Sequence, residues 1–319
     1  MPTLNLKSTP APRPPSGRSQ LLSVQLAIGT GLVALSWAAS WSEKTPLAHH
    51  SFFFLWLGYV LVVDGLVLLR TGTSLLSRGV GRFIGLFVVS IPLWWLFEAL
   101  NARLNNWSYQ LPHEYTWLAY HAEASLAFST VVPALFGTAE LFRSFAFVRR
   151  FDSWKRLNPG DAGWMPFTLT GAIMLGLVLT FPAIFFPLVW IGLFFLVDPV
   201  VHRLGGISVA GDVEVGRWAL VFSLFLSGLT CGFFWEFWNS SAMPKWTYDI
   251  PYAEWLHLFE MPALGYGGYL PFALETFALV MLINRFTRIW PESYLFPPAD
   301  LRPVRAEATH EVPVGRIVP

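Results

Sequence analysis

Apolar stretches separated by short polar loops recur along the chain, most of them close to the roughly 20 residues that an α-helix needs to cross about 30 Å of hydrocarbon. Eight are read, at residues 21–40, 51–69, 83–101, 124–145, 164–181, 186–201, 218–238 and 262–283. The apolar run is unbroken from residue 180 to residue 201. Pro182 and Pro187 divide it into two, since two prolines so close would break one straight helix. The pattern predicts an all-α integral membrane protein with about eight transmembrane helices. Residues 1–20 and 289–319, rich in proline and polar side chains, are expected to lack fixed structure. The first apolar stretch, with its basic preface and Ala38-Ala39-Ser40 at its end, has marks of a cleavable signal peptide. It is read instead as a retained helix, because the repeat described below requires it.

The loops between these stretches alternate in charge. Lys7, Arg13 and Arg18 precede the first helix. Arg70, Arg78 and Arg82 follow the second, and Arg143, Arg149, Arg150, Lys155 and Arg156 follow the fourth. Arg203 and Arg217 follow the sixth, and Arg285, Arg288, Arg302 and Arg305 follow the eighth. The intervening loops hold only Lys44, Arg103 and Lys245. Basic loops stay on the cytoplasmic side, so the expected location is a cytoplasmic (inner) membrane with both termini inside. Composition agrees with a membrane chain: 54% of residues are hydrophobic and 13% charged, at a mean hydropathy of +0.50. Soluble chains carry about 25% charged residues. A net charge of +1 leaves no basic field for nucleic acid, so none is expected as a partner. The single Cys231 excludes an internal disulfide framework and a thiolate metal cluster within one chain.

An internal repeat organises the sequence. Trp56-Leu57-Gly58 followed by Asp64 recurs as Trp190-Ile191-Gly192 followed by Asp198. Val80-Gly81-Arg82 meets Val215-Gly216-Arg217, and Glu98 and Asn101 meet Glu236 and Asn239. Trp107, Tyr109 and Pro112 meet Trp246, Tyr248 and Pro251; Trp117-Leu118 and Pro133 meet Trp255-Leu256 and Pro271. Ordered matches in such residue types at a nearly constant offset predict two four-helix copies, residues 21–150 and 164–288, joined by a basic linker at 151–163. An even number of helices brings each copy back to the side it entered from. The copies are therefore expected to be parallel, related by an approximate two-fold axis along the membrane normal.

Ionisable groups at membrane depth are costly and are by default functional candidates. Glu98 with Asn101 and Glu236 with Asn239 lie near the outer ends of matched helices, and the i, i+3 spacing puts each pair on one helix face. Were the two helices to meet at the axis, these four side chains with Trp94, Trp95, Trp235 and Trp238 would surround one outward-facing ligand cavity. Capping at helix ends within an aromatic belt is the structural alternative. Asp64 and Asp198 are expected to form buried ion pairs with Arg82 and Arg217 or with nearby basic residues. Glu140 and Glu275, after Pro133 and Pro271, are a looser third pair of ligand-binding candidates. The repeated Trp-x-Tyr-x-x-Pro loops and the aromatic segments after them, with Tyr115, Trp117 and Tyr120 and with Tyr252, Trp255 and Phe259, read as interfacial helices.

Several chemistries are missing. The seven histidines have no matched pair and no H-E-x-x-H spacing. No P-loop or G-x-S-x-G elbow is present. No cofactor or metal is expected, and the oligomeric state stays open. The leading expectation is binding or transport of a small or amphiphilic ligand between the duplicated halves. Two alternatives stand: a membrane-embedded enzyme using the paired carboxylates on a lipid or isoprenoid substrate, and an accessory subunit that binds no ligand.

Overall fold

The structure, a computed structural model, describes residues 16–42, 46–160, 163–252 and 256–296. Lys7, Arg13, Lys44, Trp255, Arg302 and Arg305, used above, lie outside the described residues, as does most of each expected tail.

The chain opens with α1 (Ser16–Ser42), a 3-10 turn at Pro46–His50, and α2 (Ser51–Thr71). Then come α3 (Leu75–Arg78), α4 (Val80–Leu104), the strand β1 (Trp107–Gln110), α5 (Trp117–Phe128), α6 (Val131–Arg143) and α7 (Ala146–Arg149). After the connecting segment follow α8 (Met165–Thr180), α9 (Pro182–Phe185), α10 (Val189–Arg203), α11 (Val209–Glu214) and α12 (Ala219–Asn239). The strands β2 (Lys245–Tyr248), β3 (His257–Leu258) and β4 (Met261–Pro262) lead through a 3-10 segment, Ala263–Gly268, into α13 (Tyr269–Thr287) and α14 (Glu292–Leu295).

Among the described residues, seven segments are long and apolar enough to cross a membrane, and α8, at 16 residues, is a shorter apolar helix. The chain is thus an all-α, multi-pass membrane protein, with seven full-length candidate spans where eight were expected. The apolar run from 180 to 201 does break, at Phe181 and again through a 3-10 turn at Phe186–Leu188, because neither proline can donate to the preceding turn. Three other expectations change. Residues 16–20 are already helical and residues 292–295 form α14. The aromatic segment at 117–128 is no separate surface helix: α5 runs through the turn at Ser129 and Thr130 into α6, and Trp117–Arg143 reads as one span. Its first turn remains open, Trp117 being 73% exposed. The corresponding segment of the second half is a β3–β4 hairpin followed by a 3-10 turn.

Close helix crossings rest on glycine. A Cβ on Gly58 would lie 2.7 Å from the Gly29 carbonyl oxygen, so α1 and α2 pack backbone to backbone only because both positions lack one. Gly171 of α8 plays the same part against the backbone of Gly192 and Leu196 in α10. Across the middle of the bundle α6 packs closely on α12, tied by the Ser227 hydroxyl donating to the Leu135 carbonyl at 2.6 Å. Between α4 and α13 the backbones approach only sparsely.

A candidate aromatic cavity backed by carboxylates

Each helix that carries a candidate Glu–Asn pair is followed by an aromatic strand, and the pair acts on that strand. Asn101, in the last turn of α4, accepts from the Asn106 and Trp107 amides at 2.9 and 3.3 Å and donates to the Trp107 carbonyl at 2.8 Å. Asn239, at the end of α12, accepts from the Trp246 amide at 2.9 Å and donates to the Trp246 carbonyl at 2.7 Å. An amide side chain matches a peptide edge in both donor and acceptor, so each Asn fixes its tryptophan as a neighbouring strand would.

The clamped strands pair antiparallel, Trp107 opposite Tyr248 and Tyr109 opposite Trp246. Side chains alternate along a strand, so each strand presents its Trp and Tyr on one face and Ser108 or Thr247 on the other. The aromatic polar ends converge on the glutamates. Glu98 Oε1 accepts from Tyr109 Oη at 2.5 Å, Trp94 Nε1 at 2.9 Å and Trp107 Nε1 at 3.1 Å. Glu236 Oε1 accepts from Tyr269 Oη at 2.5 Å, Tyr248 Oη at 2.7 Å and Trp246 Nε1 at 3.4 Å. Two donors are matched between the sets, and the third differs: Trp94 in one, Tyr269 in the other. Burial, reinforced by the adjacent carboxylates, raises both strand tyrosines well above the usual phenol range, so Tyr109 and Tyr248 remain hydrogen-bond donors.

In front of these rings lies a cavity of about 750 Å³. Its wall includes Trp94, Trp107 and Tyr109 from one half and Trp190, Trp235, Trp246, Tyr248, Tyr269 and Phe272 from the other. His49, His50, Glu123 and Lys245 bring polar side chains to it. His50 Nδ1 lies 3.3 Å from Glu123, and Lys245 Nζ donates to Glu260 at 2.6 Å. No family model matches this chain, and no curated protein or solved structure matches it either.

Neither Glu98 nor Glu236 lines the cavity, and neither Asn does. The expected ring of acids and amides around a ligand is replaced by a ring of aromatics that the acids and amides hold in place. Of the flanking tryptophans, Trp235 reaches the wall; Trp95 turns away, stacking on His121 and donating to Ser125 Oγ at 3.0 Å.

The expected ion pairs of Asp64 and Asp198 are not formed. Asp64 accepts from the Leu76 amide at 3.0 Å, Ser74 Oγ at 2.7 Å and Gln25 Nε2 at 2.9 Å. Asp198 accepts from the Val209 and Ala210 amides at 2.9 and 2.7 Å. Both carboxylates therefore hold the first turn of the short helix that follows, satisfying amides that a helix start leaves open. Arg217 pairs instead with Asp212 at 2.8 Å, and Arg82 donates to the Ile289 carbonyl at 3.2 Å. Glu140 and Glu275, expected as a pair, part company. Glu140 is held by both terminal nitrogens of Arg78, at 2.6 and 2.8 Å, while Glu275 is 0% exposed with neither carboxyl oxygen hydrogen-bonded.

Tyr269, Gln25 and Asn284 escaped the sequence reading, and Arg78 entered it only as a basic loop residue. For Asn284 a signal existed: its clamp on the Trp290 amide and carbonyl, at 2.9 and 2.7 Å, repeats the spacing of Asn101 and Trp107. Tyr269 has no counterpart in the first half and no motif around it. Among the described residues no group of three or more His, Cys, Asp or Glu gathers to hold a metal.

Proposed function

We propose that this protein binds or transports an amphiphilic ligand in the aromatic cavity, with the β1–β2 end of the bundle facing outward and the two halves acting as copies of one unit. The observation that carries the reading is a wall built by both halves, in which Trp and Tyr turn their polar ends to the half-buried Glu98 and the buried Glu236. A ligand then meets ring faces, and the ring positions are fixed before it arrives. The volume of about 750 Å³ falls within the roughly 300–1,000 Å³ usual for small-molecule sites, and an apolar wall with few polar groups is their usual lining. The polar side chains at His50, Glu123 and Lys245 suit the head of a molecule whose apolar body lies against the rings.

Matched Asn clamps, matched Glu acceptors and the symmetric strand register support the reading of two copies. The copies differ where the cavity lies: α6 and α12 close on each other, whereas α4 and α13, the equivalent pair in that reading, approach sparsely along the backbone and meet through Trp94, Phe97 and Phe272. Acid–base chemistry by the glutamates themselves is disfavoured, because the Oε1 of each accepts from three aromatic donors behind the wall.

Quenching of tryptophan fluorescence by a dibrominated long-chain alcohol, in lipid nanodiscs, tests the proposal. Gly267 lines the cavity, and a Cβ there meets nothing within 4 Å, so Gly267→Trp is chosen to obstruct the space. Saturable quenching in the wild type and its loss in Gly267→Trp, at unchanged melting temperature, is the expected result. Equal, non-saturating quenching in both proteins would reject the cavity as a binding site.

A further inference from the structure

Glu275 lies in the second turn of α13, one turn beyond Phe272 of the cavity wall. It is 0% exposed, and neither of its oxygens has a hydrogen-bond partner. The other carboxyl groups in the spans differ: Asp64, Glu98, Asp198 and Glu236 accept from amides, hydroxyls or indoles, Glu123 lies 3.3 Å from His50, and Glu140 is held by Arg78.

The ionisable groups on the elements packed against α13 are engaged elsewhere or exposed. On α10, Asp198 holds the start of α11, His202 lies 3.1 Å from Glu214, and Arg203 is exposed. On α12, Cys231 contacts Thr138 and Glu236 holds its tyrosines. On α4, Arg82 and Arg103 donate to the Ile289 and Leu179 carbonyls, and Glu98 holds its own aromatic set. Phe136 of α6 meets Phe277 of α13, and that helix's Glu140 is paired with Arg78 while its Arg143 lies over Phe296. Tyr266 donates to the Leu258 carbonyl. On α13 itself, Tyr269 donates to Glu236 and Arg285 to the Leu204 carbonyl.

We propose that Glu275 is a proton-binding site inside the membrane, taken up as the neutral carboxylic acid and emptied when α13 shifts enough to admit water or a cation. A carboxylate so enclosed lacks the donors that offset removal from water, whereas the neutral acid leaves no charge uncompensated. Tyr269 and Phe272, on the same helix, form part of the cavity wall, so movement of that wall and exchange of this proton are mechanically linked. The occupancy of Glu275 by a proton does not depend on which ligand the cavity takes.

Dicyclohexylcarbodiimide, an apolar reagent that adds to protonated carboxyl groups, tests the site in the full chain reconstituted in vesicles, with peptide mass mapping as the readout. At neutral pH an adduct on Glu275 is expected, with none on Glu140, and labelling should fall at strongly alkaline pH. The infrared carbonyl band of a protonated carboxyl should be present in the wild type and lost in Glu275→Gln, which is already neutral and should fold normally. Should that variant fail to fold, the wild-type labelling decides alone. Absence of the adduct at neutral pH, or labelling that does not change with pH, would overturn the proposal.

Discussion

Asn239 is a small side chain with a large geometric task. It holds the amide and the carbonyl of Trp246 together, and through them the indole and phenol that reach Glu236. Replacing it by alanine leaves two part-buried backbone groups to find new partners, at up to about 1–3 kcal/mol each where they fail. Asn239→Ala should therefore lower the melting temperature in detergent by several degrees. Its effect on amphiphile quenching should exceed that of an equally destabilising change far from the ribbon. The tyrosines add a pH signature. Tyr109 and Tyr248 keep their protons in the folded state where an unfolded chain, with a phenol pKa of about 10, begins to lose them. The unfolded state then binds fewer protons, so stability is level below pH about 10 and falls above it. Melting scans should show that fall in the wild type and a shallower one in Tyr248→Phe. At this scale the sequence singled out the Glu and Asn positions and misjudged what they face. An i, i+3 spacing places Glu and Asn on one side of a helix but does not say whether the neighbour is another helix or the chain's own next strand. Trp107 and Trp246, six and seven residues ahead of the clamping Asn, were the nearer partners.

Among the elements, charge was the least legible feature. Basic residues were read as loop markers or as partners for Asp64 and Asp198, yet those acids bind helix starts, and the bidentate pair is Arg78 with Glu140. The reason is local geometry: Ser74 and Ser208 begin short helices ten residues after each Asp, where open amides lie closer than any guanidinium. Proline breaks, in contrast, act within the chain itself, and Pro182 and Pro187 interrupt the apolar run where the sequence places them. The Arg78–Glu140 pair is nearly buried, with side chains 10% and 7% exposed. Removing one partner of such a pair costs about 3–5 kcal/mol, while replacing both by apolar groups is often neutral. Arg78→Met should lower the yield of folded protein, and Arg78→Met with Glu140→Leu should recover much of it, as read by size-exclusion profiles in detergent.

For the whole molecule, the apolar pattern made the membrane class plain and the charge alternation gave an orientation to test. Cysteine at Ser108, on the exposed face of the ribbon, should react with a membrane-impermeant thiol reagent added outside intact cells. Cysteine at Ser153, in the basic connection, should react only after permeabilisation. Native Cys231 is buried and should add no background. Labelling of Ser153→Cys in intact cells would reverse the orientation. The cavity itself was not legible, because matched residues in the sequence do not say how closely α4 and α13 approach.

The β1–β2 ribbon also sets an order of assembly. Trp107–Gln110 is synthesised long before Lys245–Tyr248, so during biogenesis the first strand waits with one hydrogen-bonding edge unfilled while the intervening helices enter the bilayer. An unfilled strand edge accepts any complementary strand, including the Lys245–Tyr248 segment of another copy. The same pairing that joins two halves within one chain thus offers a route for two chains to exchange halves whenever the second half is delayed.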